Sequence, residues 1–441
     1  MIVELHNEIV LIRSQRKTIA NYLSYVTETG VQIPLVSYHT ESNSPCFDVG
    51  YLPILSDEFP ELKVIDRRSG LLNPEFSNPP GITFLEYQKE AIYRGIENKI
   101  SGLPFYRGIY DCAPNSGKSF IILGLLYAYK FPRTLILIHS QEIFNQLIEL
   151  IGPHSQVGAY GLKSREFKLV TIAMYKTLYN AVKGGDVNVL YQINQTQLLL
   201  VDEAHRIAGD YYRLVQKIPC FHRYFFSGTS YDRSNPLETL RIIGKSGNTL
   251  YKITQDQLIS LGQSQRPIIH IYKLKARSFK DFRSEVEYLM YDIYRNSIIL
   301  ENSKVGQVFI SVDQKEHGDH LFDVLKPLHR SVATLYGDTK ERSKIIEQYK
   351  EGSIDILIST IFREGINSPK IRTYIHAYGK LSKIQIKQLI GRVVRHDKIE
   401  ETVKVVDFLD AGTRVRNHTI HRISIYQQEK YEIKYYEEIK E

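Results

Sequence analysis

Tryptophan is absent from this chain of 441 residues, and cysteine and methionine are scarce, at three each. Cys46, Cys112 and Cys220 stand far apart with no C-x-x-C spacing. That excludes a disulfide scaffold, offers no zinc motif, and fits a reducing compartment. No apolar run approaches the ~20 residues needed to span a bilayer, so no membrane partner is expected. Met1-Ile2-Val3-Glu4-Leu5 lacks the basic-then-apolar pattern of a signal peptide, and the expectation is a cytoplasmic protein. Short-period repeats and low-complexity tracts are also missing. An excess of one charge is nearly missing: Lys+Arg number 57 against 49 Asp+Glu, a net +8. A mild positive balance favours a polyanionic partner, held by a local patch rather than by the whole surface. The 31 tyrosines can stack on bases, although most are expected in the core. The length is sufficient for two or three domains with full cores.

What the chain does contain is three motifs in a fixed order. The first is Cys112-Ala113-Pro114-Asn115-Ser116-Gly117-Lys118-Ser119. It lies between a short strand, Arg107 to Asp111, and an apolar helix, Phe120 to Tyr129. Backbone N–H groups of such a loop, with the positive end of the helix behind it, hold phosphate oxygens. Lys118 would reach the β- and γ-phosphates of ATP, and the Ser119 hydroxyl would ligate Mg2+. Cys112 stands where the G-x-x-x-x-G-K-[ST] pattern has its first glycine. Asn115 suits a tight loop because asparagine visits left-handed backbone readily. The bland alternative is an ordinary Gly-Ser turn before a core helix.

The second motif is Val201-Asp202-Glu203-Ala204-His205. The preceding Leu198-Leu199-Leu200-Val201 has the profile of a buried parallel strand. Ligands in such sheets bind beyond the carboxyl ends of strands. There Asp202 would hold magnesium, Glu203 would orient or polarise the attacking water, and His205 would face the cleft and couple nucleotide state to neighbouring loops. Two acids at a helix start are the alternative. The third motif is Gln388-Leu389-Ile390-Gly391-Arg392-Val393-Val394-Arg395. Arg392 and Arg395 are three apart and share a helical face. As arginine fingers they would stabilise charge on the transferring phosphoryl group, with Gln388 one turn earlier near the γ-phosphate. A solvated basic face, or a face touching only nucleic-acid phosphates, is the alternative.

Together these motifs resemble a superfamily 2 helicase of the DEAH-box kind. Leu85-Glu86-Tyr87-Gln88 resembles that family's adenine-reading segment, with Gln88 as its hydrogen-bonding residue. Ser227-Gly228-Thr229 resembles the motif that couples hydrolysis to movement. Ser359 to Asn367 resembles the motif in which Thr360 touches nucleic acid and Gly365 and residue 367 touch nucleotide. Here Asn367 stands in place of the family's Asp. Ala377 to Ile384, leading into Gln388 to Arg392, is similar to the UvsW-like recombination helicases of large lytic phages, which are branch-migration enzymes. The resemblance covers roughly residues 80–410. It implies ATP and Mg2+ as cofactors and duplex or branched DNA as partner, with protein partners unknown. If the source is a phage, the place is the host cytoplasm. The fold it implies is α/β, with two RecA-like parallel-sheet lobes preceded by a small α/β domain.

Organisation along the chain agrees. Residues 1–75 resemble the small DNA-binding domain placed before the motor in that family, and are closed by Pro79-Pro80-Gly81. They hold an opening strand, a helix-like stretch from Gln15 to Thr29, and the basic residues Arg13, Arg16, Lys17, Arg67 and Arg68. Every catalytic motif follows residue 84, so this domain is expected to be dispensable for hydrolysis. Residues 76–245 read as the ATP-binding lobe and 246–441 as the second lobe, with a linker at 246–268 and a C-terminal tail. The tail, Glu429 to Glu441, reads as a solvated helix. Thr171 and Thr360 are candidate nucleic-acid contacts. Three other readings remain open. One is an RNA substrate, although the Gly-Phe-x-x-Pro-x-x-Ile-Gln segment of DEAD-box RNA enzymes is missing before Gln88. Another is the motor of a restriction system with its nuclease on a separate chain. The last is a dead ATPase kept as a DNA-binding module.

Overall fold

The computed structural model describes residues 1–27, 32–40, 42–161, 163–204, 210–228, 236–328, 331–361, 370–378, 386, 390–391 and 402–437. These form two compact units. One is Met1–Cys112 with Gly117–Lys252, and the other is Ile253–Glu441 with the four loop residues Ala113–Ser116. Among the described residues no helix is long and apolar enough to cross a membrane.

The first unit opens with a small mixed sheet of β1 (Ile2–Leu5), β2 (Ile9–Ile12), β3 (Val36–Tyr38), β4 (Pro45–Asp48) and β5 (Lys63–Asp66), in the order β3-β4-β2-β1-β5. Val3, Leu5, Val10, Ile12 and Phe47 are among its buried side chains. The helix expected from Gln15 to Thr29 is shorter. It runs Arg16–Tyr22, and Ser24–Val26 then pairs antiparallel with Gln32–Pro34. Tyr25, Val26 and Thr27 favour extended backbone, where aromatic and β-branched side chains pack best.

The large sheet of this unit holds β6 (Arg107–Cys112), β7 (Thr134–Ile138), β8 (Val157–Tyr160), β9 (Val170–Met174), β10 (Leu198–Asp202), β11 (His222–Ser227) and β12 (Thr249–Ile253). Their order is β8-β9-β7-β10-β11-β6-β12. Strands β6 to β11 pair in parallel. Parallel strands are covered on both faces and so read as unbroken apolar runs. Leu198-Leu199-Leu200-Val201 is buried throughout for this reason.

The small sheet is not a separate bead on this lobe. Tyr51 donates its hydroxyl hydrogen to the carbonyl of Leu240 at 2.8 Å, and Lys245 forms an ion pair with Asp48. The segment after β5 is fastened too. Arg68 binds Asp66 and the Pro104 carbonyl, and its guanidinium lies 4.4 Å over the Phe221 ring. Leu72 N–H donates to His222 Nε2 at 3.1 Å, and burial pushes that imidazole down to about 4, keeping it a neutral acceptor.

The second unit carries β13 (Ile268–Lys273), β14 (Gln307–Ser311), β15 (Val332–Leu335), β16 (Ile356–Ser359), β17 (Ile371–His376), β18 (Lys404–Leu409) and β19 (Glu432–Glu437). The order is β15-β16-β14-β17-β18-β13-β19, all parallel. Both faces are apolar, with Phe309, Leu357 and Tyr374 on one and Val308, Ile310 and Phe408 on the other. Under the sheet Arg422 makes a bidentate pair with Asp407, and both are buried. The arginine holds that carboxyl below its ordinary range despite burial.

The tail corrects an expectation. Glu432–Glu437 is an edge strand rather than a solvated helix, paired with β13 from Ile268↔Glu432 to Lys273↔Glu437. Tyr436 stacks on Tyr272 at 4.7 Å and shares a hydrogen bond with His270 Nδ1 at 2.8 Å. The charged letters suggest a solvated helix, but unpaired N–H and C=O groups along β13 reward a further strand.

Candidate nucleotide site

The loop at the end of β6 is shaped by two left-handed residues, Asn115 (φ 65°) and Gly117 (φ 71°), on either side of buried Ser116. Alternating hand turns successive N–H groups toward one point, the geometry of an anion nest. The helix Lys118–Ala128 starts there with no side-chain cap and no acid in its first turn. Phe120 N–H already donates to the Gly117 carbonyl at 2.9 Å, so the N–H groups of Lys118 and Ser119 are those left for an outside acceptor. Ile121 to Leu126 are buried, which anchors this helix in the lobe. The Lys118 ammonium lies 3.4 Å from the carbonyl oxygen of Cys112 and so points back across the loop mouth.

Gln88 reaches the same loop from the helix Glu86–Ile96. Its Oε1 accepts the Leu85 N–H at 3.0 Å, and a Cβ placed on Gly117 would meet its Nε2 at 2.4 Å. Only glycine admits the amide that close. Two helices hold this arrangement, because Gly124 lets Ile92 and Phe84 pack directly against the loop helix.

Asp202 ends β10, 4% exposed. Register fixes its height: Asp202 pairs with Phe226, and the neighbouring Ser227 pairs with Asp111 of β6. Asp202 and the phosphate-loop strand are thus two strands apart on one sheet edge, about 10 Å at ordinary strand spacing. Strand β11 runs between them and delivers Ser227 and Gly228 to the same edge. Glu203 has φ 56°, a left-handed backbone that costs a non-glycine residue of order 1–3 kcal/mol. The local sequence carries no signal for that strain. Ser119 is half-buried at the helix start. The Ser119 hydroxyl and the Asp202 carboxylate are hard oxygen donors. Such a pair suits a magnesium ion that takes its other ligands from phosphates and water.

Thr171 is not brought to this edge. It lies near the start of β9, 3% exposed, with its hydroxyl held between the N–H and C=O of Lys168. In the second unit Thr360 follows β16 directly, half-buried. Before it, Ser359 donates to the Leu335 carbonyl at 2.7 Å and accepts the Ile361 N–H at 2.9 Å. His205, Thr229, Gly365, Asn367, Gln388, Arg392 and Arg395 lie outside the described residues.

Comparison with known proteins places this geometry. Residues 81–232 match the family described as type III restriction enzyme, res subunit. Residues 289–397 match the helicase conserved C-terminal domain. The chain is a superfamily 2 helicase. Enzymes of this superfamily hydrolyse ATP. This helicase is 23% identical over 399 residues to the ATP-dependent DNA helicase uvsW of Enterobacteria phage T4, covering 78% of this chain and 75% of that protein. It is 20% identical over 379 residues to the DNA 3'-5' translocase XPB2 of Sulfurisphaera tokodaii, covering 75% and 82%. A fragment of a putative HsdR subunit of a type I restriction enzyme from Vibrio vulnificus YJ016 has a TM-score of 0.60 at 19% identity, covering 82% of this chain and 69% of that one. The last likeness concerns the fold, and the two seven-stranded sheets are RecA-like lobes.

Proposed function

We propose that this ATP-dependent DNA helicase remodels branched DNA, migrating forks or four-way junctions in replication, recombination or repair. The observation that carries the reading is a nucleotide-shaped edge on a lobe to which a small N-terminal domain is fastened, in a chain similar to a phage DNA helicase along most of its length. In this proposal Pro114 to Ser119 cradle the phosphates, Lys118 neutralises them and Gln88 reads adenine. Ser119 and Asp202 hold magnesium, whose contribution is charge neutralisation. Glu203 aligns water, and Arg392 and Arg395 stabilise the transferring phosphoryl group. His205, Gly365, Asn367 and Gln388 complete the nucleotide contacts, and Thr360 touches the DNA backbone.

For the N-terminal domain, the structure narrows the basic set. Arg68 is buried against Asp66 and Phe221, and Arg13 is held by Glu4 at 2.6 Å. Arg16 and Lys17 stay exposed; Arg67 is exposed as well, 3.7 Å from Glu4, and borders a groove of about 490 Å3 with His6, Glu8 and His39. Phosphate contacts there would be independent of base sequence and sensitive to salt.

The test is ATPase stimulation across RNA, linear duplex, forked and four-way DNA. Branched DNA should stimulate most and RNA least. Linear duplex equal to branched DNA would favour a translocating motor of the restriction kind, a reading supported by the family matched at residues 81–232. A second expected result concerns the arginines. Arg392→Ala should lower kcat on the order of 10^3-fold while nucleotide affinity, read by fluorescent-nucleotide titration, stays close to normal. Loss of DNA binding alone, with DNA-independent hydrolysis intact, would assign Arg392 to the nucleic acid instead.

A further inference from the structure

The helix Pro236–Ser246 has two ends with different business. Its chain enters from β11, whose carboxyl end lies between the phosphate-loop strand and the acidic strand. Its last turns are seized by the N-terminal domain. Gly50 lies so close that an added Cβ would sit 1.9 Å from the Ile243 carbonyl oxygen and 2.5 Å from that of Gly244. Gly244 in turn leaves room only for the Tyr51 ring, at 2.8 Å from its own notional Cβ. Tyr51 bonds the Leu240 carbonyl, and Asp48 pairs with Lys245. Between the two ends Ile242 is fully buried in the core of the lobe. Backbone-to-backbone contact with no side chain between is stiff, because packed interiors are close to crystal density and transmit displacement. After the helix the chain returns as β12, the neighbour of β6, and Ile109 N–H bonds the Asn248 carbonyl at 3.0 Å. The clamped turn therefore leads directly into the strand beside the phosphate-loop strand.

We propose that Pro236–Ser246 is a relay that ties nucleotide state to the N-terminal domain, with Gly50, Tyr51, Asp48 and Lys245 as its positioning residues. The relay rests on the nucleotide-site reading but not on any preference for branched DNA. It makes two demands. Nucleotide must alter the N-terminal domain even without DNA, and loosening the clamp must uncouple the domain without touching the chemistry. Gly50→Ala is the wedge. Gly50 is not in the left-handed region, so alanine meets only the facing backbone. Tyr51→Phe is the gentler variant, deleting one hydrogen bond and keeping the ring.

Two readouts test it. Hydrogen exchange over residues 45–58, with and without ADP and beryllium fluoride, should slow with nucleotide in the wild type and lose that response in Gly50→Ala. Stimulation of ATPase by plain linear duplex should fall by about 5-fold or more in Gly50→Ala, the lower end of typical coupling between sites, while turnover without DNA stays at the wild-type level. If Gly50→Ala does not fold, Tyr51→Phe carries the same comparison. Exchange that ignores nucleotide in the wild type, or responds equally in the folded variants, overturns the relay. Failure of the branched-DNA reading looks different: junction and linear DNA would act alike while the exchange response remains.

Discussion

Lys118→Ala should cost more than ~100-fold in ATP turnover, a loss typical of a deleted charge that acts on the transition state, in a protein that melts as the wild type does. The ammonium reaches back over a loop bounded by Asn115 and Gly117, 3.4 Å from the Cys112 carbonyl. No other lysine or arginine in this loop can replace it. The fold does not depend on it, because the helix it begins is held by Ile121 to Leu126 in the core. Partly exposed positions away from core features change stability by only about 0.5 kcal/mol. Steady-state ATPase and a thermal melt decide the matter together. Near-normal turnover in a folded Lys118→Ala protein would remove the loop from the phosphates.

Deleting residues 1–75 should do more damage than the order of motifs suggests. All the catalytic motifs follow residue 84, so by sequence the first domain is dispensable for hydrolysis. The packing argues otherwise. Arg107, Arg223 and Lys245 lie together, nearly buried, and their counter-charges Glu8 and Asp48 come from the N-terminal domain. Burial already pulls the Lys245 ammonium below its ordinary range, with Asp48 pulling the other way. Without residues 1–75 the three cations repel one another uncompensated. The Tyr51 ring is lost as well, and burial of a ring that size contributes about 1.5–3 kcal/mol against a total stability of about 5–15 kcal/mol. A chain beginning at residue 76 should melt roughly 10 °C lower and lose most ATPase through unfolding. If that chain melts like the full-length protein and hydrolyses ATP normally, the domain is separable after all.

The contrast between these two results shows where each kind of information lies. The tight loop after β6 and the acidic strand end were legible because their geometry is local. Eight consecutive residues make the anion nest, and a four-residue apolar run ending in Asp202 announces a buried parallel strand. Thr134–Ile138 and Gln307–Ser311 were equally plain, since burial on both faces demands continuous apolar letters. Short or charged elements were not. Tyr25-Val26-Thr27 looked helical beside the true helix, and Glu432–Glu437 became a strand only because β13 had an open edge to offer. The stretch 246–268, weakly patterned, holds β12 and the capped helix Gln255–Ser260. Thr171 has a hydroxyl suited to phosphate, yet the structure spends that hydroxyl on Lys168.

By itself, then, the sequence determined the fold class, the residues of the candidate nucleotide loop and the order of the motifs, because each depends on residues a few positions apart. Only the tertiary structure decided that Glu203 carries left-handed backbone, that Gln88 rests on Gly117, and that Asp48 and Tyr51 grip a helix some 190 positions away. Those facts depend on contacts between segments distant in the chain, where close approach of backbones and compensation of buried charge select the partner. No local pattern of residues records that choice.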